Sequence, residues 1–229
     1  MPEIKIVTLT YDIEDDLSLR YGHKLRGFFA NNFMEVLFHN HNQDGSLRYG
    51  YPLIQYKIVD NKPLILGINE GGELIIEYFL DIDKLVLDDK EYTSPSGNLS
   101  VNKVDVKINN DYDMPIYKYT FITPWLGLSQ DNYYIYKTKY LNVSKKEKGQ
   151  FFKSIIIGNI LSFAKGIGWW VEEEIKVVPS LSEISVKFKS KDMIGFTGYF
   201  FSNIYLPEYI GIGKSSSRGF GTIIRETIL

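Results

Sequence analysis

Two histidines stand two residues apart in this 229-residue chain, at His39 and His41. If the segment is extended, both side chains point to the same side, with Cα atoms about 6.5 Å apart. Histidine titrates near neutrality, so one imidazole can take a proton from a hydroxyl while the other supplies one to a leaving oxygen. The pair therefore suits acid–base chemistry at a phosphate, and a ribose 2′-OH as nucleophile would require RNA.

Two other interpretations of the pair stay open. His39 and His41 can supply two ligands to a metal ion, in which case further ligands are needed to complete the site. They can also belong to a polar turn without chemistry, because short motifs often match by chance. Spacing alone does not choose between these interpretations.

Aromatic and cationic residues follow the pair. Tyr49 is placed to orient a phosphate or share in proton transfer, and Arg48 to stabilise developing charge. The competing interpretation places both at the edge of a strand, and for Tyr51 we favour packing in the core. Arg26, on a predicted helix, is either an exposed cation or a phosphate contact. These residues extend the candidate site on both sides of the histidines.

A glycine-rich stretch, Gly-Ile-Gly-Lys-Ser-Ser-Ser-Arg-Gly-Phe-Gly, occupies residues 211–221. Its four glycines allow sharp turns and a close approach to a ligand. Its two cations and three hydroxyls are donors suited to phosphate oxygens. A structural hairpin with a solvated tip is the alternative. The loop residues predicted to contact RNA are Gly211, Gly213, Lys214, Ser215, Ser216, Ser217, Arg218, Gly219 and Gly221.

Composition narrows the class of protein. The formal charge of −2 argues against indiscriminate binding to nucleic acid, so a binder must concentrate its positive charge in patches. Lysines do gather between residues 137 and 153, although a solvated helix face explains them equally well. The absence of cysteine excludes disulfides, thiolate zinc sites and cysteine nucleophiles, and fits an intracellular protein. We expect a cytoplasmic protein without signal peptide or membrane span.

The elements that must position these residues follow a β-α-β-β-α-β order, the ferredoxin-like pattern. A Thr-Ser-Pro-Ser-Gly-Asn stretch at 93–98 has the composition of a linker, which predicts domains at 1–95 and 96–229. The second half reads as β-α-β-β, with its second helix shortened or replaced by the glycine loop. The predicted fold class is α+β, with two tandem ferredoxin-like domains. In the first half the predicted strands cover 4–10, 51–59, 63–68 and 84 onward, and the helices 18–37 and 73–80.

Three motifs together resemble the CRISPR-associated endoribonucleases that cut precursor CRISPR RNA within its repeats, in the form found in subtype I-B systems. The first motif is the glycine loop at 211–221, and the second is Leu-Arg-Gly at 25–27. The third and most specific is Leu-Phe-His-Asn-His at 37–41, followed by Arg-Tyr-Gly-Tyr-Pro-Leu-Ile-Gln-Tyr-Lys at 48–57. The resemblance reaches both halves of the chain.

This resemblance implies a specific reaction. Members of the family need neither metal nor cofactor: the 2′-OH attacks the adjacent phosphate and leaves a 2′,3′-cyclic phosphate and a 5′-OH. His39, His41 and Tyr49 would be the catalytic residues, without separate assignment of base and acid. The glycine loop, with Arg26 and Arg48, would hold the RNA. CRISPR repeat RNA is then the expected partner, together with other subunits of a CRISPR surveillance complex.

Three alternative functions compete with metal-independent cleavage. A non-cleaving RNA-binding subunit that caps a guide RNA would keep the loop and lose its dependence on the histidines. A ferredoxin-like module that binds a nucleotide or a protein would use the glycine loop only as a structural hairpin. A metal-dependent nuclease would be sensitive to EDTA.

Overall fold

The computed structural model of the chain describes residues 1–33, 35–39, 50–93, 95–111, 115–188 and 191–226, with the side chains at 36, 39, 188 and 191 left aside. These residues form two compact units. The N-terminal unit comprises Pro2–Asp105 together with Ser216–Gly219. The C-terminal unit comprises Val106–Ser215 and the stretch that begins at Phe220. Four residues of the glycine loop therefore group with the N-terminal half of the sequence.

The elements of the N-terminal unit are β1 (Glu3–Asp12), α1 (Tyr21–Asn32), α2 (Val36–His39), β2 (Ile54–Val59), β3 (Lys62–Ile68), α3 (Glu70–Tyr78), a 3₁₀ turn (Phe79–Asp81), β4 (Lys84–Leu87), β5 (Lys90–Thr93) and β6 (Ser96–Asp105). Four of the strands form an antiparallel sheet in the order β2-β3-β1-β6. The other two strands, β4 and β5, form a separate hairpin.

One face of this sheet packs against the helices. Val7 and Leu9 of β1 and Tyr56 of β2 join Leu25 and Phe29 of α1 in a single buried cluster. The alternation of the strand residues and the three-to-four-residue spacing on α1 are the two periods expected of elements that share a core. This core fixes α1 against β2, and α1 carries Arg26.

The predicted linker is wrong, because the residues after Pro95 form the fourth strand of the sheet. β6 pairs with β1 along ten residues, from Glu3 opposite Asp105 to Asp12 opposite Ser96. Most of its side chains are exposed, so β6 lacks the apolar alternation that marks a strand in sequence. The segment predicted as the fourth strand, β4, instead pairs only with β5 among the described strands. The units accordingly divide after Asp105, not after residue 95.

The elements of the C-terminal unit are β7 (Lys107–Ile108), β8 (Tyr117–Trp125), α4 (Gln130–Ile135), a π turn (Tyr136–Tyr140), α5 (Lys145–Gly166), β9 (Val177–Phe188), β10 (Lys191–Ser202), β11 (Ile204–Tyr205) and β12 (Ile223–Glu226). A 3₁₀ turn before β12 (Ser216–Arg218) groups with the other unit. The unit repeats the architecture of the N-terminal one, with the sheet order β12-β8-β10-β9. The short strands β7 and β11 pair with each other in a separate two-stranded sheet.

The glycine loop takes the place of a second helix between β10 and β12, as the sequence predicts. The long helix α5 begins at a capping box in which Ser144 and Glu147 satisfy each other's backbone N–H groups. Its apolar side packs on the sheet, where Phe152 contacts Trp125 and Phe196. The two units confirm an α+β fold of tandem ferredoxin-like domains. Within the described residues, no helix has the length and apolar character required to cross a bilayer.

Candidate nucleic-acid interface

The glycine loop is fixed to the end of β8 by backbone hydrogen bonds. The N–H of Lys214 donates to the carbonyl of Leu126, and the N–H of Gly221 donates to that of Pro124, each at 2.9 Å. The two sides of the loop also pair with each other, with the N–H of Ile212 donating to the carbonyl of Gly221 at 2.9 Å. The loop is therefore a hydrogen-bonded part of the C-terminal unit on both sides of its tip.

Two loop glycines are required by packing within the protein. A Cβ at Gly213, where φ is +91°, would lie 2.7 Å from Nε1 of Trp125, which donates to Oδ1 of Asn159 at 3.0 Å. A Cβ at Gly221, where φ is +63°, would lie 2.0 Å from the carbonyl oxygen of Ile212. The sequence suggested that these glycines admit a ligand. In the structure, atoms of Trp125 and Ile212 occupy the space beside these glycines.

The tip of the loop, residues 216–219, belongs to the N-terminal unit and meets α1 and β2 there. A Cβ at Gly22, in the first turn of α1, would lie 2.7 Å from the carbonyl oxygen of Arg218. A Cβ at Gly219, where φ is +87°, would lie 3.1 Å from the carbonyl oxygen of Tyr56. Because backbone meets backbone at both places, the position of Arg218 is set by α1 and β2.

This packing brings two guanidinium groups together within the N-terminal unit. Burial lowers the pKa of Arg26 on α1. Burial raises the pKa of the nearby Tyr56 phenol, and the positive charge of Arg26 partly opposes that rise. Burial also lowers the pKa of Arg218, and the nearby charge of Arg26 lowers it further. Both side chains stay partly accessible to solvent. Two adjacent, half-buried arginines favour an anion that contacts both, such as a phosphate.

A third cation close to the loop tip, Lys57, has no role assigned from the sequence. Lys57 is fully buried on β2, and its Cα would lie 3.3 Å from a Cβ at Gly219. Burial lowers its pKa to about 7. In the sequence, this lysine is marked only by its position in a largely apolar predicted strand, where lysine is rare.

The catalytic residues predicted from the sequence fall partly outside the described residues. His39 is the last residue of α2. The preceding residue, Phe38, is buried, and the centre of its ring lies 5.9 Å from that of Phe29 on α1. His41, Arg48 and Tyr49 lie outside the described residues. Their assignment stays a prediction.

Tyr51, which follows the predicted catalytic residues, is packed in the N-terminal unit. Tyr51 is buried, as the sequence indicates, and its hydroxyl accepts a hydrogen bond of 2.8 Å from Nε2 of Gln55. Burial raises the pKa of this phenol, so Tyr51 stays neutral and structural. The segment that contains the predicted catalytic residues thus begins and ends at side chains packed in the N-terminal unit, Phe38 and Tyr51.

The remaining loop residues differ in accessibility. Lys214 is exposed, and Gly213, Ser215, Ser217 and Arg218 are partly accessible. The others are buried: Gly211, Ser216, Gly219 and Gly221. The donors that can reach a ligand are therefore the two cations and the hydroxyls of Ser215 and Ser217.

The fold and the loop define a class: two-domain ferredoxin-like proteins in which a cationic glycine loop near the C-terminus replaces a helix. Comparison with known families narrows this class. The N-terminal domain of Cas6b matches residues 2–105, and the C-terminal domain of Cas6b matches residues 111–226. The chain belongs to the Cas6b family, which confirms the resemblance seen in the sequence.

Individual relatives agree with this assignment. A crystal structure of Cas6b is 35% identical to this chain with a TM-score of 0.88, over 98% of this chain and 100% of that one. A second structure, described as the CRISPR RNA processing endoribonuclease Cas6b, is 33% identical with a TM-score of 0.76, over the same shares of the two chains. The uncharacterized protein MJ0978 of Methanocaldococcus jannaschii is 34% identical over 150 residues, which are 65% of this chain and 97% of that protein.

Proposed function

We propose that this chain is a cytoplasmic, metal-independent endoribonuclease that cleaves precursor CRISPR RNA within its repeats. The ribose 2′-OH next to the cut attacks the phosphorus, the P–O5′ bond breaks, and the products are a 2′,3′-cyclic phosphate and a 5′-OH. Membership of the Cas6b family supports the substrate class, since one solved member is described as a CRISPR RNA processing endoribonuclease.

The observation that carries the proposal is the convergence of Arg26 and Arg218 beside the helix that leads to the histidines. Arg26 lies one turn before Phe29 on α1, and Phe29 packs against Phe38, the residue before His39. A phosphate held by the two guanidinium groups would therefore be positioned by the same helix that anchors the histidine segment. Bidentate contacts of arginine with phosphate oxygens also fix the orientation of the phosphate.

The remaining roles follow from the balance of protons in the reaction. Among His39, His41 and Tyr49, one group accepts the proton of the 2′-OH and another donates a proton to the leaving O5′. Arg26, Arg48 and Arg218 stabilise the charge that develops on the non-bridging oxygens. Lys214, Ser215 and Ser217 contact the flanking RNA backbone. The loop is shaped for this by the buried Ser216 and by Gly211, Gly213, Gly219 and Gly221.

The test is cleavage of end-labelled CRISPR repeat RNAs by the purified protein in EDTA, beside the same RNAs with a single 2′-deoxy substitution at the cut. We expect cleavage of the all-ribose RNA alone, with a cyclic phosphate on the product. Cleavage of the 2′-deoxy RNA, or a requirement for added metal, would contradict the proposed mechanism. Tight binding of a repeat without any cut would identify a subunit that caps a guide RNA.

A further inference from the structure

The C-terminal unit contains a groove that has no role in the proposed reaction. It has a volume of about 430 Å³ and lies beside the start of α4 and the facing parts of β9 and β10. This volume falls within the range of pockets that hold small ligands, which runs from about 300 to 1,000 Å³. The residues that the argument uses are Leu128, Tyr133, Glu183, Asp192, Met193 and Lys214.

The groove has an aromatic wall. Tyr133 of α4 is 45% exposed, although large aromatic side chains are usually buried. Leu128 and Met193 supply apolar surface to the same groove. A flat aromatic ligand can therefore stack on Tyr133 and cover apolar atoms, as a nucleobase does on proteins that bind single strands.

A cation from the glycine loop stands at the same groove. Lys214 lines it with an exposed side chain, while the backbone N–H of Lys214 is held by the carbonyl of Leu126 at 2.9 Å. Lys214 forms no ion pair with any acid in the described part of the chain. The loop that we propose to hold RNA backbone thus brings a fixed positive charge to the rim of the groove.

Positive charge continues from Tyr133 along the chain. Residues 129–153 contain six lysines and two acids, whereas the whole chain has a formal charge of −2. None of these lysines is ion-paired with an acid that the structure describes. Nζ of Lys137 lies 5.9 Å from the centre of the Tyr133 ring. Lys137 therefore places positive charge beside Tyr133, where a phosphate of the bound strand can contact it.

We propose that the groove binds one unpaired nucleotide of the RNA, with its base stacked on Tyr133 and its phosphate at Lys214. The inference rests on the proposed function for the claim that RNA reaches the glycine loop. Neighbouring phosphates follow Lys137 and the lysines after it. The groove is a second RNA contact within the C-terminal unit, and it requires an unpaired base because a base inside a duplex is already stacked on both faces by its neighbours.

Two carboxylates at the groove give the subsite a base preference. Glu183 is fixed by the hydroxyl of Tyr136, which donates to it at 2.7 Å, and Asp192 is exposed on the neighbouring strand. Carboxylates accept hydrogen bonds from the exocyclic amino group of a base, as they do from N4 of cytosine. Adenine and cytosine carry such a group and uracil does not. We therefore expect the groove to bind adenine or cytosine in preference to uracil.

The experiment measures fluorescence anisotropy of 5′-labelled r(A)12 and r(U)12 with the full chain. Tyr133→Ala should weaken binding of r(A)12 about tenfold, because stacking on an aromatic side chain contributes on the order of 1–3 kcal/mol per base. Tyr133→Phe should bind like the wild type. Tyr134→Ala is the matched control, since Tyr134 is the next residue, is 70% exposed and does not line the groove. Asp192→Ala should reduce the preference for r(A)12 over r(U)12.

The outcomes separate this inference from the proposed function. Failure of the wild type to bind r(A)12, unchanged binding by Tyr133→Ala, or an equal loss in Tyr134→Ala would overturn the groove as a nucleotide site. Cleavage of repeat RNA is assayed in parallel on the wild type. If the wild type cleaves repeat RNA but Tyr133→Ala binds r(A)12 normally, the groove is not a nucleotide site and the proposed reaction stands. Selective loss in Tyr133→Ala, without cleavage by the wild type, supports the groove and contradicts the proposed reaction.

Discussion

Arg26 and Arg218 illustrate how a single side chain acquires a role that its local sequence does not specify. Burial lowers the pKa of each, and repulsion by the charge of Arg26 lowers the pKa of Arg218 further. Backbone packing of Gly22 on Arg218 keeps the second arginine in place. A bound phosphate would offset this repulsion, which makes the pair a better ligand site than either arginine alone.

The predicted catalytic residues can be tested one at a time. His39→Ala and His41→Ala should each lower the cleavage rate by about 10²–10⁴-fold, the usual contribution of a proton-transferring side chain. Affinity for 2′-deoxy-blocked repeat RNA should change little, because the phosphate contacts remain. Single-turnover cleavage and filter binding are the two measurements. Full activity in both variants would remove the histidines from the mechanism.

Lys57 predicts a pH dependence of folding stability. Its pKa is about 7 in the folded chain and 10.5 when unperturbed, so between these values the unfolded state binds more protons than the folded state. Stability of the wild type therefore rises with pH in this window, by up to about 1.4 kcal/mol per pH unit, and the contribution is constant below pH 7. Lys57→Met should lack this slope.

Urea unfolding from pH 6 to pH 10 checks the sign of this effect. The free energy of unfolding of the wild type should approach or overtake that of Lys57→Met as the pH rises. Lys165→Met, at an exposed lysine in the last turn of α5, is the control and should run parallel to the wild type. Parallel curves for Lys57→Met as well would show that Lys57 keeps its ordinary pKa.

At the scale of elements, α1 carries two glycines with opposite surroundings. A Cβ at Gly22 would lie 2.7 Å from a backbone carbonyl, whereas a Cβ at Gly27 would meet no atom within 4 Å. Gly22→Ala should therefore destabilise the protein by roughly 1–3 kcal/mol through overpacking, and should weaken RNA binding because Arg218 is displaced. Thermal unfolding and RNA binding measure the two effects.

Gly27→Ala is the matched substitution on the same helix. Alanine is favoured over glycine inside a helix by about 0.5–1 kcal/mol, so this variant should be more stable than the wild type. Its RNA affinity should not change. Equal destabilisation by both substitutions would mean that the contact with Arg218 is not the cause of the effect at Gly22.

The elements differ in how well the sequence predicts them. β3 is clear because it is a short continuous run of buried residues after a turn, and α5 because its buried residues recur at the helix period. The first residues of β6 and its place in the N-terminal sheet are missed, because those residues have the composition of a linker and the side chains of β6 are largely exposed. Its ten-residue pairing with β1 places it in that sheet, and pairing between distant segments leaves no local pattern.

At the scale of the whole molecule, net charge is a poor guide to the partner. The chain carries −2 overall, yet lysines outnumber acids across residues 129–153, and two more cations lie in the glycine loop. RNA binding should therefore depend steeply on salt. The double variant Lys214→Ala with Arg218→Ala should flatten the plot of log K against log salt by about 0.7 for each phosphate that the protein no longer neutralises.

A control with the same change in charge separates local from global electrostatics. Lys107→Ala with Lys165→Ala removes two exposed cations that lie outside the proposed RNA contacts. Its salt slope should equal that of the wild type. Equal flattening in both double variants would mean that only total charge matters, which would contradict a defined role for the loop.

The sequence predicts which residues belong to the candidate site, but not how they come together. The cations and hydroxyls of residues 211–221 are evident from their types, as is Arg26 from its motif. The sequence does not reveal that residues 216–219 pack with the N-terminal unit. Gly22 and Gly219 contact backbone atoms of their neighbours, and every residue has those atoms. The roles of His41, Arg48 and Tyr49 stay predictions.

The membership of residues 216–219 in the N-terminal unit sets an order of events during translation. Residues 2–105 emerge first, but the segment that packs on α1 and β2 is made about 110 residues later. At roughly 5–20 residues per second, this delay is on the order of ten seconds. Throughout it, the nascent N-terminal domain lacks Arg218, so a transcript would meet a half-assembled phosphate site. Competence for RNA would thus wait until most of the chain had been made.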